Sequence, residues 1–164
     1  MSDEPALSRR KFDLIVRSEI TIERAIREVW PHFLDTGAWM SGLSFERIAG
    51  RRGEEGEVRL VTPAGATPYD AYFITVVRAT PLRQFVYKVT PRQGTDYLGF
   101  ADFSFNEMDG KTHLVYDIYL ELAVPEMSAE AFQRFADQQY SIARRDVAVN
   151  NLNLKSLVEG LREP

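Results

Sequence analysis

Apolar and polar residues alternate along most of the chain, which is the pattern of β-strands with one buried face. The segment FDLIVRSEITI places one set of residues on a single face, broken only by Ile15: Phe12, Leu14, Val16, Ser18, Ile20 and Ile22. Six later segments have strand character: LSFERIAG, GEVRLVT, YDAYFITVVRA, QFVYKVTP, YLGFADFSF and THLVYDIYLELAV. Short polar turns join these six, so the sequence predicts seven strands with antiparallel neighbours.

A helical pattern replaces the alternation directly after the first strand. In ERAIREVWPHFL, apolar residues recur at helical spacing: Ala25, Ile26, Val29, Trp30 and Phe33. Pro31 is expected to interrupt this helix or to begin a second short one, which predicts a helical hairpin. The following DTGAWMSG is expected to be a loop or a short helical turn that exposes the aromatic bulk of Trp39.

The C-terminal part of the chain predicts one long helix. Pro125 ends the last strand, Ser128 is a candidate N-cap, and no proline or glycine follows until Gly160. A helix of about 30 residues is well above the average length and needs a long surface to lie on.

This helix carries polar residues within its apolar stripe. The following residues lie within about 60° of one line at 100° per residue: Phe132, Ala136, Gln139, Ala143, Asp146, Val147, Asn150, Asn153, Leu154, Leu157 and Leu161. Because a buried amide without a partner costs about 1–3 kcal/mol, the polar members must have protein partners, face a wet cavity, or lie at the solvent edge. The neighbouring leucines favour a structural role for Asn153, and the sequence leaves the others open.

Composition limits the function classes. A chain of 164 residues is one domain, which we place at 12–161 after a flexible N-terminal tail at 1–11. The net charge of −4 argues against nucleic-acid binding, and the run Arg9, Arg10 and Lys11 is interpreted as a solvated flank. The chain has no cysteine, no signal peptide and no apolar segment long enough to span a membrane, so a cytoplasmic location is expected.

The order of elements and two local motifs resemble START-like (SRPBCC) proteins of the polyketide cyclase and lipid transport type. ITIERAIREVWPHFLDTGAW resembles the opening of that family, with an apolar–Trp pair at Val29 and Trp30, then Asp35 and a second aromatic residue at Trp39. GKTHLVYDIYLEL resembles its last strand. The resemblance covers residues 12–161 and departs at Glu23 and Arg24, where the family often has a proline before the first helix. It implies the helix-grip fold, an α+β fold in which a curved antiparallel sheet wraps around the C-terminal helix.

The resemblance also implies an internal cavity between the sheet and the N-terminal half of that helix. Alternation predicts inward-facing walls from Leu114, Tyr116, Ile118 and Leu120, from Phe85, Tyr87 and Val89, and from Gly99, Ala101, Phe103 and Phe105. Gly99 and Ala101 are small and are expected to leave volume for a ligand. Both faces of YDAYFITVV are apolar, so its inward face stays open. The candidate ligand-binding residues are Trp39, Tyr87, Phe103, Tyr116, Ile118, Phe135, Gln139, Ala143, Asp146 and Asn150. For the tyrosines and Trp39, packing in the core is an equal alternative.

Catalytic motifs are sparse. The chain has no HExxH, phosphate loop or GxSxG, and His32 and His113 are expected to be exposed and far apart. Asp146 is a weak catalytic candidate if burial raises its pKa. We therefore expect no metal or cofactor and favour binding of a small hydrophobic or aromatic molecule, lipid- or polyketide-like. The alternative is a cyclase- or dehydratase-like enzyme that uses Asp146, Tyr116 and Gln139. A cochaperone-like interaction module has less support, and the oligomeric state is not predicted.

Overall fold

A computed structural model describes residues 9–67, 70–92 and 97–160. The elements in chain order are β1 (Arg9–Ile22), α1 (Ile26–Phe33), α2 (Thr36–Trp39), β2 (Leu43–Ala49), β3 (Val58–Pro63), β4 (Tyr72–Thr80), β5 (Gln84–Pro91), β6 (Tyr97–Met108), β7 (Lys111–Pro125) and α3 (Ala129–Glu159). The predicted α+β helix-grip order is therefore confirmed. β1 starts before the expected domain boundary at Phe12, whereas residues 1–8, residues 93–96 of a predicted turn, and Leu161 lie outside the described residues.

The strands form one antiparallel sheet in the order β1-β7-β6-β5-β4-β3-β2. Along the chain, consecutive strands from β2 to β7 are neighbours, and β7 then pairs with β1. The register places Val16 opposite Ile118 and Phe103 opposite Tyr116, so the inward faces predicted by alternation align across the sheet. The sheet thus presents one continuous apolar face for the helices to cover.

Helix α3 lies along β1. A strand of 14 residues and a helix of 31 residues both measure about 46 Å, so β1 supplies the long surface that α3 needs. Near its start, Phe132 and Phe135 pack edge-on against Phe12, and near its end Lys155 donates a 2.6 Å hydrogen bond to the carbonyl of Thr21. Among the described residues, no helix is apolar enough over a sufficient length to cross a membrane.

The ends of α3 are fixed by the residues that the sequence indicated. Ser128 Oγ accepts a 3.2 Å hydrogen bond from the N–H of Ala131, which confirms the predicted N-cap. Gly160 ends the helix with φ at +70°, a conformation that is strained for other residues.

The buried stripe of α3 is rotated from the predicted line. Its buried residues are Val147, Asn151 and Leu154, which centre about 60° away from the line through Phe132. The reason is that α3 packs over β1 at the sheet edge instead of over the middle of the sheet. Consequently Asn151, which the sequence did not single out, is fully buried and donates a 3.0 Å hydrogen bond to Ser18 Oγ.

The helical hairpin fills one end of the concave face with aromatic rings. Pro31 lies inside α1 without ending it, and the second helix begins only at Thr36. Trp39 is 1% exposed, donates a 2.9 Å hydrogen bond to the carbonyl of Phe33 and stacks on its ring. Of the two alternatives for Trp39, exposure in a loop and packing in the core, the structure has the second, because this short helix turns the indole inward.

Candidate functional site

Side-chain size falls along the inward faces of β5 and β6. On β5 the inward residues change from Phe85 to Tyr87 to Val89, and on β6 they change from Phe103 to Ala101. Phe85 and Phe103 contact the hairpin aromatics, whereas Val89 and Ala101 lie beyond the hairpin. Because the backbone continues while the side chains shrink, space opens on the concave face.

This space is an apolar cavity of about 350 Å³. Its lining comes from the α2–β2 connection, β2, β4–β7 and one residue of α3: Met40, Leu43, Phe45, Tyr72, Ile74, Tyr87, Val89, Phe100, Ala101, Tyr116, Ile118, Leu120, Leu122 and Asn150. The volume falls within the range of small-molecule sites, about 300–1,000 Å³. We call this space the apolar cavity.

Two buried tyrosines supply polar groups to the apolar cavity. Burial, reinforced by the neighbouring Tyr116, raises the pKa of the Tyr87 hydroxyl well above its ordinary value. Burial also raises the pKa of Tyr116. Both hydroxyls therefore stay protonated at neutral pH. Because they hydrogen-bond to each other, one of the two protons is used within the pair and the other is available to an acceptor oxygen.

Asn150 adds an amide from α3. It is half-buried and faces the cavity across from the sheet, so it offers both a donor and an acceptor. Asn153, one turn further, instead donates a 3.1 Å hydrogen bond to the carbonyl of Trp39. Its amide has a structural contact, as the neighbouring leucines suggested.

The predicted site residues divide into two groups. Tyr87, Tyr116, Ile118 and Asn150 line the apolar cavity together. Phe103 does not: it is fully buried beneath the cavity floor and stacks on Tyr116 at 4.2 Å between ring centroids. Trp39 is likewise outside the lining, where Met40 takes its place. Aromatic residues at these positions complete the core instead of facing a ligand.

The predicted residues in the N-terminal half of α3 also lie outside the lining. Phe135 packs on Phe12, Ala143 packs against the core, and Gln139 is half-buried. Asp146 has a side chain that is 57% exposed and accepts hydrogen bonds from Arg145. The premise of a buried Asp146 acid is therefore wrong, because α3 leans toward β1 and turns this face to solvent.

Several lining residues were missed by the sequence analysis. Tyr72 and Ile74 come from β4, whose two faces are both apolar, and the strand partners now show which phase is inward. Leu43 and Phe45 alternate on β2 and were not weighed as walls. Gly99, expected to leave volume, does not, because Leu120 Cδ2 lies 2.6 Å from where its Cβ would be.

A second, polar opening adjoins the apolar cavity. It has a volume of about 530 Å³ and is lined by Leu34, Asp35, Thr36, Gly37, Leu43, Ser44, Phe45, Arg47, Arg52, Glu57 and Arg59. We call it the arginine cleft. It lies where the α1–α2 connection meets β2, β3 and the loop between them.

A buried ion pair forms the floor of the arginine cleft. Arg59 is 6% exposed and donates hydrogen bonds of 2.8 Å to both carboxylate oxygens of Glu57, which is 1% exposed. Arg59 also donates to Thr36 Oγ1 at 2.6 Å, and the N–H of Gly53 donates to Glu57 Oε2 at 2.7 Å. Burial alone would raise the pKa of Glu57, but the hydrogen bonds from Arg59 and Gly53 outweigh it and hold that pKa below its ordinary value.

The β2–β3 loop brings its backbone to this ion pair through glycines. Gly50 has φ at +76°, and a Cβ there would lie 2.6 Å from the Cα of Glu57. Gly53 also has φ at +76°, which lets its N–H reach the carboxylate. Within the described part of the chain, no group of three or more His, Asp or Glu side chains is placed to hold a metal ion.

Comparison with known proteins shows the fold but no close relative. No protein-family model and no curated protein sequence matches the chain. Solved structures do match. The Zhui aromatase/cyclase from Streptomyces sp. R1128 has a TM-score of 0.69 at 12% identity and covers 92% of this chain and 97% of its own. Ara h 8.0201 has a TM-score of 0.63 at 9% identity, covering 91% of this chain and 99% of its own.

A third match contains bound small molecules. Norcoclaurine synthase from Thalictrum flavum, in complex with dopamine and hydroxybenzaldehyde, has a TM-score of 0.61 at 12% identity and covers 99% of this chain and 100% of its own. At these identities the similarity establishes the helix-grip fold, which agrees with the START-like resemblance of the sequence.

Proposed function

We propose that this protein binds a small hydrophobic or aromatic molecule in the apolar cavity, in the cytoplasm. The observation that carries the proposal is the cavity itself: about 350 Å³ bounded mainly by apolar side chains, with Tyr87, Tyr116 and Asn150 as polar groups. That composition is typical of a small-molecule site. The dopamine and hydroxybenzaldehyde bound to norcoclaurine synthase support it, since they show that this fold accommodates aromatic molecules.

The polar groups indicate what the ligand carries. The hydrogen-bonded pair of Tyr87 and Tyr116 keeps one hydroxyl proton for a ligand, so a carbonyl, ether or phenol oxygen facing the pair gains a hydrogen bond. Asn150 faces the ligand from the opposite side and accepts or donates. A ligand with an apolar body and one or two oxygen atoms fits these positions, which includes lipid-like and polyketide-like molecules.

The enzyme alternative used Asp146, Tyr116 and Gln139, and it needs a base as well as an acid in the same cavity. Of these three residues only Tyr116 lines the cavity, where its protonated hydroxyl is an acid without a base beside it. None of the described residues that line it is Asp, Glu, His, Lys or Arg. Asp146 is exposed and paired with Arg145, and Gln139 is not in the lining. Binding is therefore the function that the geometry supports best.

Titration with N-phenyl-1-naphthylamine, a neutral dye that fluoresces in apolar surroundings, tests the proposal. We expect saturable binding with one dye per chain. Ala101→Phe fills the cavity and is expected to weaken binding more than tenfold, because the new ring occupies the ligand's volume.

The matched control is Ala49→Phe, which adds the same ring at an exposed position on β2. It is expected to leave the dissociation constant unchanged. Absence of saturable binding to the wild-type protein, or equal weakening by both variants, would contradict the proposal.

A further inference from the structure

The arginine cleft contains more positive charge than its own carboxylates neutralise. Arg47, Arg52 and Arg59 line it together with Asp35 and Glu57. Both oxygens of Glu57 are already bonded, to Arg59 and to the backbone of Gly53. Asp35 approaches Arg52 only at 4.0 Å, and both side chains are more than half exposed. Within the described residues, Arg47 makes no hydrogen bond or close ion pair; its charge acts on Glu57 at longer range and helps to lower the pKa of that carboxyl.

Arg47 also sits in an unfavourable position for a cation. It lies directly opposite Arg59 in the β2–β3 register. Like charges that face each other across an antiparallel pair are destabilising. Glu57 is bonded to Arg59 and compensates Arg47 only at longer range. A bound anion would compensate Arg47 directly, and guanidinium groups are well suited to hold carboxylate or phosphate oxygens.

The arginine cleft and the apolar cavity share a wall. Leu43 and Phe45 line both of them, and Arg47 follows on the same face of β2. Alternate residues of a strand are about 7 Å apart, so the backbone of Arg47 lies about 7 Å from that of Phe45, which belongs to the apolar lining. The charge of Arg59 also reaches into the cavity: burial raises the pKa of Tyr87, and this charge opposes the rise.

We propose that the ligand of the apolar cavity is an amphipathic acid, whose apolar body lies in the cavity and whose carboxylate or phosphate group lies in the arginine cleft against Arg47 and Arg52. This inference rests on the proposed binding function and narrows its ligand class. Leu43 and Phe45 border both spaces, so the ligand would pass along their side chains from the apolar cavity to the arginine cleft.

Decanoate and decanol test the proposal, because they share a flexible chain and differ in the head group. Each displaces N-phenyl-1-naphthylamine from the wild-type protein at pH 7.5, where the carboxylate is ionised. We expect decanoate to bind about tenfold more tightly than decanol. The double variant Arg47→Gln/Arg52→Gln is expected to remove this preference while the affinities for decanol and for the dye change less than twofold.

The matched control is Arg51→Gln, because Arg51 is exposed in the same loop but does not line the cleft. It is expected to keep the preference for decanoate. Equal affinities of decanoate and decanol in the wild type, or a preference that survives in the double variant, would overturn the proposal. Failure of the wild-type protein to bind the dye would instead contradict the proposed binding function on which this inference rests.

Inorganic phosphate at constant ionic strength distinguishes a free anion from a head group. If the cleft holds the head group of the cavity ligand, phosphate weakens the binding of decanoate but not that of decanol. In the double variant, phosphate no longer weakens the binding of decanoate. If phosphate binds and decanoate shows no preference over decanol, the cleft serves a free anion and the proposal of an acidic cavity ligand is overturned.

Discussion

The two ends of the concave face have the same sheet beneath them but different contents. At the hairpin end, Trp30, Phe33, Phe85 and Phe103 interlock with ring centroids 5.0–6.4 Å apart. At the far end, Ala101 follows Phe103 on the inward face of β6, and an open space of about 350 Å³ lies beyond the hairpin. The strands β5, β6 and β7 run through both ends. The difference therefore comes from side-chain size and from where α1 and α2 stop, not from the backbone of the sheet.

This contrast shows how one fold provides both stability and a site. The filled end buries aromatic area, which stabilises the folded state. The open end leaves part of the face unfilled, so ligand binding there has little packing to disrupt. Variants at the filled end should accordingly lower stability, whereas variants at the open end should mainly change ligand binding.

The largest effect is expected at the filled end. Phe103→Ala removes a ring that is fully buried and in contact with Phe33 and Tyr116, so the free energy of unfolding should fall by about 3–5 kcal/mol. Ile118→Ala, on the cavity wall, should cost about 1–2 kcal/mol because its side chain already borders open space. Urea denaturation measures both. Equal losses would show that the far end is packed as tightly as the hairpin end.

A second large effect is expected at the floor of the arginine cleft. Glu57→Gln leaves Arg59 buried without its carboxylate partner and should cost about 3 kcal/mol at neutral pH. Since the pKa of Glu57 is lowered in the folded protein, its stabilisation is present above the ordinary value of 4.5 and is lost as pH falls through the folded value. The difference between wild type and variant should thus shrink in acid. A difference that is constant from pH 7 to pH 3 would contradict this account.

The smallest effect is expected at Asp146. Its side chain is 57% exposed and pairs only with its neighbour Arg145 among the described residues, so Asp146→Asn should change stability by less than about 0.5 kcal/mol. Binding of N-phenyl-1-naphthylamine should also be unchanged. A loss of binding in this variant would mean that the N-terminal half of α3 covers the cavity after all.

The sequence predicted the fold well because its signals are local. Alternation, turns and the Ser128 N-cap each act over a few residues, and they agree with one another. The inward faces of β5, β6 and β7 followed from the same alternation. The inward face of β4 could not be predicted, because both of its faces are apolar and only the pairing with β3 and β5 selects one.

The candidate site was predicted less well because it depends on how elements pack. Gln139 and Asp146 were placed in the cavity because the resemblance implies that the N-terminal half of α3 lines it, whereas α3 packs on β1 at the edge of the sheet. The arginine cleft was not predicted: along β3 and the residue before it, the buried face carries Glu57 and Arg59 together with Val61, whereas Val58 and Leu60 lie on the less buried face. Charges can occupy that face because they neutralise each other, and a strand pattern alone does not reveal such a pair.

The most direct test of the central claim locates the dye by its effect on isoleucine methyl groups in NMR spectra. Ile74 and Ile118 line the apolar cavity, Ile22 is buried in the core, and Ile15 and Ile142 are exposed elsewhere. Aromatic rings of bound N-phenyl-1-naphthylamine should shift the methyl resonances of Ile74 and Ile118 and leave those of Ile15, Ile22 and Ile142 in place. Shifts confined to Ile15 or Ile142, with Ile74 and Ile118 unmoved, would contradict the account.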